Sequence, residues 1–160
     1  MKILITGSNG QLGKELVNQL EAINQSINQP KYVILATTRS DLDISNQTNV
    51  DNFILHNKPD VVVNCAAYTK VDACEDNIEI AYKINALGVR NLAIASEKVN
   101  AKLIHISTDY VFNGFSKYPY REDNKTEPNS VYGKSKLMGE KFVEQFSHKY
   151  FILRTAWLYG

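Results

Sequence analysis

The first sixteen residues, Met1-Lys-Ile-Leu-Ile-Thr-Gly-Ser-Asn-Gly-Gln-Leu-Gly-Lys-Glu-Leu16, constrain the fold more than any other stretch. Lys2 to Thr6 is short, apolar and β-branched, the pattern of a buried strand. Gly7, Gly10 and Gly13 follow at three-residue spacing, and Leu12, Leu16, Val17, Leu20 and Ile23 then recur with a helical period. Strand, glycine turn and helix in that order form a seat for a dinucleotide pyrophosphate. Gly7 permits the tight turn, Gly10 lets backbone N–H groups approach phosphate, and Gly13 lets the helix pack closely on the sheet. The helix N-terminus adds a partial positive charge of about half a unit. A strand-to-helix turn that needs glycines only for packing would carry the same three.

The rest of the chain alternates strand and helix. Asn24 to Lys31, through Pro30, reads as a connection, and Tyr32 to Ala36 as the second strand. Val50, Phe53 and Ile54 mark a helix from near Ser45 to before Pro59, and Val61 to Asn64 is a third strand. Ile80, Ile84, Leu87, Leu92, Ala95 and Val99 predict one long, well-buried helix ahead of a fourth strand, Lys102 to Ser107. Asp109 to Ser130 is polar, aromatic and Pro-containing, and a loop of that length in a compact domain is usually functional. Val131 to Phe146 reads as a helix N-capped by Ser130, with Met138, Phe142 and Phe146 toward the core, and Tyr150 to Thr155 as the fifth strand. This alternation predicts an α/β, doubly wound parallel sheet of the Rossmann type, truncated after the fifth strand. Right-handed crossovers suggest the order 3-2-1-4-5, with ligands at the strand C-termini beside the first strand.

At 160 residues the chain is one domain. A net charge of +1 argues against nucleic acid or an anionic membrane surface as partner. No apolar run is long enough to span a bilayer, and the short one after Lys2 does not read as a signal peptide, so a cytoplasmic protein is expected. Cys65 and Cys74 lack metal-ligand spacing and read as reduced thiols.

Tyr132-Gly-Lys-Ser-Lys136 places a phenol and an amine on one helix face, with a rise of roughly 6 Å between them. A neighbouring ammonium, together with an oxidised nicotinamide, would lower the affinity of the phenol for its proton and let Tyr132 act as a general acid or base. A solvated helix face carries such a pair equally well. The pair gains weight by following a fourth strand that ends in Ser107 and Thr108, where a hydroxyl would meet a reacting carbonyl. Where NAD enzymes keep an acid for the ribose 2′-OH, the second strand ends in Thr37, Thr38, Arg39 and Ser40, with Asp41 next. Arg39 suits a 2′-phosphate; a surface arginine is the plain alternative.

These segments resemble the dTDP-4-dehydrorhamnose reductase family of extended short-chain reductases, as does the Gly-x-x-Gly-x-x-Gly spacing in place of Gly-x-Gly-x-x-Gly. Carrying the resemblance are Ile5 to Leu16, Leu42-Asp-Ile-Ser45, Asn64-Cys-Ala-Ala-Tyr-Thr-Lys-Val-Asp72, Ala81-Tyr-Lys-Ile-Asn85, Ile106-Ser-Thr-Asp-Tyr-Val-Phe112, Ser130 to Lys136 and Leu153-Arg-Thr-Ala-Trp-Leu-Tyr-Gly160. The resemblance implies an oxidoreductase in which NADP or NAD, in its reduced form, reduces the C4 keto group of a dTDP-sugar to give dTDP-L-rhamnose for cell-surface polysaccharide. It implies that Thr108 binds the keto oxygen, Tyr132 donates the proton and Lys136 holds the nicotinamide ribose. Cofactor contacts are implied for Gly7, Asn9, Gly10, Gln11, Leu12, Gly13, Arg39, Ser40, Asp43, Ile44, Cys65, Ala66, Ala67, Tyr68, Asn85 and Ser107, and sugar contacts for Thr69, Val71, Tyr110 and Trp157. Glu15 matches a carboxylate that some members use at a Mg-linked homodimer contact, although a carboxylate in a first helical turn is also favoured by the helix dipole.

Three features depart from the family: Asn113 where aspartate is common, Lys70 where a small residue is usual, and the length. Family members continue into a second, substrate-holding domain, so the chain is expected to be the NAD(P)-binding domain carrying the catalytic residues, impaired by itself in reduction. The other readings are a related sugar-nucleotide epimerase or dehydratase, and a non-catalytic NADP-binding subunit like the regulatory subunit of methionine adenosyltransferase. Ser107 to Phe112 speaks against the first, and intact Thr108, Tyr132 and Lys136 against the second.

Overall fold

Five short apolar segments become strands: β1 Lys2–Thr6, β2 Val33–Thr37, β3 Val61–Asn64, β4 Lys102–Thr108 and β5 Tyr150–Thr155. The helices between them are α1 Gln11–Gln25, α2 Gln47–Asn57, α3 Val71–Asp76, α4 Ile78–Tyr82, α5 Val89–Lys98 and α6 Val131–Phe146. A π-helical turn, Lys83–Gly88, joins α4 to α5, and a 3-10 turn, Asp109–Val111, follows β4. The computed structural model describes residues 1–27, 29 and 31–158; the expectations that touch Pro30, Tyr159 and Gly160 lie outside the described residues.

Every strand pairing is parallel, and the sheet order is β2-β1-β3-β4-β5. The doubly wound parallel sheet is therefore as expected, but the order 3-2-1-4-5 is not. The reason lies in which face α2 covers. Leu16, Val17 and Leu20 of α1 pack with Ile3, Ile5 and Val63 on one face. Val50 and Ile54 of α2 pack with Leu4, Val62, Leu92 and Leu103 on the other. A right-handed crossover on the opposite face carries the chain back across β1, so β3 lands beside β1 and not outside β2. Burial agrees: Val62 and Val63 are buried, whereas Val33 on edge strand β2 is 55% exposed.

The α2, α5 and α6 helices share one face of the sheet, where Leu92, Ala93, Ala95 and Val143 complete the main core. The other face is covered by α1 near β1, β2 and β3. Beyond Ile104 it opens, and Phe151 and Leu153 of β5 are exposed there.

The long helix expected after β3 is instead broken. Ile80 and Leu87 are exposed, while Ala81, Asn85, Ala86 and Val89 are buried. A π turn adds a residue to one turn and so rotates the apolar face, which a 3.6-residue period cannot follow. In α6, Met138 is likewise exposed, and the buried side is Tyr132, Ser135, Lys136, Gly139, Glu140 and Val143. Phe142 and Phe146 are half-buried neighbours with ring centroids 6.1 Å apart. Ser130 caps α6 as expected, its hydroxyl accepting from the Gly133 N–H at 3.0 Å.

Candidate active site

The strand order reverses between β1 and β3, and a parallel sheet leaves a crevice at such a point, at the C-terminal ends of its strands. A cleft of about 480 Å³ lies there. Gly10 to Gly13 line it from the β1–α1 turn, and Cys65, Ala67, Thr69 and Val71 from the end of β3. Ile106 to Tyr110, Tyr132 and Lys136, and Thr155, Trp157 and Leu158 close the remaining sides from β4, α6 and β5.

Two glycines of the turn are required by close approach. Gly7 has φ +65°, and a Cβ there would lie 2.8 Å from the Ala66 backbone. A Cβ on Gly13 would lie 2.3 Å from the Gly7 carbonyl oxygen. Gly10 differs: it is the N-cap of α1, extended, with no side-chain hydrogen bond to the first turn. The N–H groups that open a helix have no partner within it. Here they face the cleft without a capping side chain, so the residues present fit an anionic pyrophosphate of a dinucleotide.

Below the turn, Asn64 draws three strands together. Its Oδ1 accepts from Thr6 Oγ1 at 2.7 Å and from the Ala66 N–H at 3.2 Å. Its amide N–H therefore donates to His105 Nδ1 at 3.1 Å, which leaves the imidazole proton on Nε2. Burial, and the nearby Lys136 charge, hold His105 neutral, well below the ordinary range.

Tyr132 and Lys136 lie on one face of α6, as the spacing predicts, and in the chain by itself burial governs the phenol. Lys136 is 2% exposed and donates from Nζ to the Ile106 carbonyl at 2.6 Å. Its burial lowers its pKa to about 8, against the pull of Glu140 and Cys65. Burial raises Tyr132 above the ordinary phenol range, with a contact from the Thr108 hydroxyl drawing it partway back. The phenol is thus protonated throughout the neutral range, the state a proton donor needs. The ring of Tyr110 meets that of Tyr132 edge to face at 5.5 Å, and Thr108 Oγ1 accepts from the Tyr110 N–H at 3.2 Å.

At the end of β2, Asp41 is already engaged. Its Oδ2 accepts from the Thr38 hydroxyl at 2.7 Å and the Thr38 N–H at 2.8 Å, and these bonds lower its pKa. Ser40 Oγ lies 2.8 Å from Thr38 Oγ1. Arg39 is largely exposed, its Nε 3.6 Å from Asp43 Oδ2. Ser45 donates to Asp43 Oδ1 from its hydroxyl at 2.7 Å and its N–H at 2.9 Å.

Other residues expected at the site make contacts within the protein. The Ile44 side chain is in the core. Asn85 is buried and binds the protein itself: Oδ1 accepts from the Tyr68 N–H at 2.8 Å, while Nδ2 reaches the Tyr68 carbonyl at 3.0 Å and Ser135 Oγ at 3.1 Å. The Ser107 hydroxyl donates to Glu140 at 2.5 Å. Glu15 is on the surface, bonded to Gln19 at 2.6 Å, and no group of three metal-ligating side chains occurs among the described residues. No helix among the described residues is long and apolar enough to cross a membrane.

Asn64, His105, Glu140 and Arg154 were not read from the sequence as parts of the site. Glu140 alone carried a usable signal, since it extends the four-residue series of Tyr132 and Lys136.

Cys65 and Cys74 are both free thiols. Burial pushes Cys65 up to about 11, so it is expected to resist alkylation in the native chain. Thiol titration of unfolded, unreduced protein should count both; a lower count would contradict this.

Residues 1–160 match the family described as RmlD substrate binding domain. Spore coat polysaccharide biosynthesis protein SpsK of Bacillus subtilis strain 168 is 43% identical over 159 residues, which are 99% of this chain and 54% of that protein. The crystal structure of a dTDP-4-dehydrorhamnose reductase from Clostridium acetobutylicum superposes with a TM-score of 0.93 at 51% identity, covering all of this chain and 55% of that one. A dTDP-4-dehydrorhamnose reductase from Bacillus anthracis in complex with NADP gives 0.89 at 46% identity, covering 99% and 54%. The chain thus spans about half the length of these relatives.

Proposed function

The chain belongs to the RmlD substrate binding domain family, and from that premise we propose that it is the cofactor-binding, proton-donating domain of an NAD(P)H-dependent reductase acting on the C4 keto group of a dTDP-sugar. The observation that carries this reading is one cleft that joins the uncapped start of α1 to Thr108, Tyr132 and Lys136. Relatives named dTDP-4-dehydrorhamnose reductase, one solved with NADP, support it.

Gly10 to Gly13 would seat the pyrophosphate on the α1 N-terminus, and Lys136 would hold the nicotinamide ribose. When bound, the reduced nicotinamide supplies a hydride. The chain's own part is the oxygen: the Thr108 hydroxyl orients it, and Tyr132, kept protonated by burial, gives it a proton. The Tyr110 ring against Tyr132 and the apolar side chains of Val71 and Trp157 limit water around that oxygen. Lys136, with a pKa near 8, is mostly charged at neutral pH.

For the adenosine end we read a preference for NADPH at least equal to NADH. Asp41 is committed to Thr38, while the largely exposed Arg39 offers a guanidinium to a 2′-phosphate. An exposed, charge-assisted contact is worth about 1 kcal/mol. Arg39→Ala should therefore weaken NADPH binding about fivefold and leave NADH unchanged. Calorimetric titration of both cofactors checks this, and Trp157, the only tryptophan, gives an independent signal by energy transfer to the reduced nicotinamide. A clear preference for NADH, or an unaltered NADPH affinity in the variant, would remove the assignment.

A further inference from the structure

We infer that Glu140 and Arg154 are positioning residues of the site: their buried ion pair locks the strand end that carries Thr108 against the helix face that carries Tyr132 and Lys136. The inference rests on the reading of those three residues as the reacting group, and its contacts lie wholly within this chain.

Tyr132, Lys136 and Glu140 follow one another at four-residue spacing, so they share a face of α6. Glu140 is 1% exposed, and a carboxylate so far from water persists only with its oxygens paired. Both are. Oε1 accepts from Arg154 Nε at 3.0 Å and from Ser107 Oγ at 2.5 Å, and Oε2 accepts from Arg154 Nη2 at 2.7 Å. The guanidinium thus grips the carboxylate in a two-pronged fork, which fixes direction as well as distance. Ser107 immediately precedes Thr108, and its cross-strand partner in the β4–β5 ladder is Arg154 itself. One carboxylate therefore joins α6, the end of β4 and β5 directly behind the cleft.

The same arginine reaches the segment after Thr108. Its Nη1 donates to the Glu122 carbonyl at 3.2 Å, and its guanidinium lies 5.1 Å from the Phe112 ring centroid. Phe112 stacks flat on Tyr120 at 4.2 Å. Removing Arg154 would release both sides of Thr108 at once.

Apolar side chains of equal volume would fill this space at no loss of stability. What they could not supply is a fixed negative charge one helical turn from Lys136. The groups that face the Lys136 ammonium are Glu140 from its own helix, Cys65 from the end of β3 and His105 from β4, with Tyr132 one turn before it. His105 is neutral, and Cys65 keeps its proton below about 11, so Glu140 is the charge that opposes the burial of Lys136.

The charge on Lys136 is read by NMR titration of the chain labelled at lysine Cε, with the signal assigned by its loss in Lys136→Met. In the unaltered chain the midpoint is expected near 8. In Glu140→Gln, which keeps the shape and the Ser107 contact, it should fall by about one pH unit, while Arg154→Lys should hold it in place. Arg154→Lys should instead shift the amide signals of Ser107 and Thr108 and speed hydrogen exchange through Phe112 to Glu122. A folded Glu140→Gln chain with an unmoved midpoint overturns the inference. If that variant does not fold, Arg154→Lys decides: unchanged amides at Ser107 and Thr108 overturn it, and shifted ones support it. These measurements need neither sugar nucleotide nor turnover, so a failed reductase assay and a failed titration point to different faults.

Discussion

Assayed alone with a 4-keto dTDP-sugar and NADPH, the 160-residue chain is expected to bind the cofactor and to turn the sugar over orders of magnitude more slowly than a full-length relative. Thr108, Tyr132 and Lys136 already stand in one cleft, so the missing ingredient is positioning. Holding a carbonyl in line with its hydride donor can be worth roughly 7–11 kcal/mol. The cleft is about 480 Å³, and one of its walls is Trp157, which is itself mostly exposed. A nucleotide sugar needs more contact than this to stay in one orientation, and the relatives carry about as much chain again. Joining the C-terminal half of a relative to this chain should restore turnover, and Tyr132→Phe in that fusion should lower kcat by about 10²–10⁴, the usual worth of a positioned proton donor. Following NADPH absorbance at steady state checks both. Turnover by the short chain equal to that of a full-length relative would place the substrate contacts within these residues. An undiminished Tyr132→Phe fusion would take the proton from elsewhere.

Gly13→Ala and Gly10→Ala are expected to fail in different ways. At Gly13 the new methyl would stand 2.3 Å from a backbone oxygen, and backbone cannot swing aside as a side chain can. Overpacking of this kind costs about 1–3 kcal/mol, a fall in Tm of roughly 3–10 °C for a chain of this size, and it displaces α1 from the sheet. At Gly10 the nearest atom would be 3.3 Å away and the backbone is extended. Gly10→Ala should therefore keep its Tm within about 2 °C. Its methyl would nevertheless stand beside the N–H groups offered to the pyrophosphate, so cofactor affinity should drop at least tenfold. Thermal unfolding and calorimetry on the two variants separate packing from anion binding. Equal losses of stability, or unchanged affinity in Gly10→Ala, would assign all three glycines to packing alone.

Local chemistry made much of this protein legible in its sequence. The strand at Lys2–Thr6, the turn through Gly13, the cap at Ser130 and the pairing of Tyr132 with Lys136 each depend on neighbours a few residues away, and such neighbours are visible in a string. Tertiary packing decided the rest. Handedness allows β3 on either side of the β1–β2 pair; the face chosen by Val50 and Ile54 sent it back beside β1 and placed the strand reversal at the cleft. The π turn at Lys83–Gly88 rotated Leu87 outward and Asn85 inward, where Asn85 could bridge Tyr68 and Ser135. Glu140 continues the four-residue series of Tyr132 and Lys136, but a polar residue in a helical pattern reads as exposed, and the partners that bury it, Ser107 and Arg154, are 33 residues before it and 14 after. Nor could spacing alone give the sign of the Tyr132 shift. Four residues of helix put an amine near a phenol, but only the folded chain could turn that amine to the Ile106 carbonyl and leave burial to govern the proton.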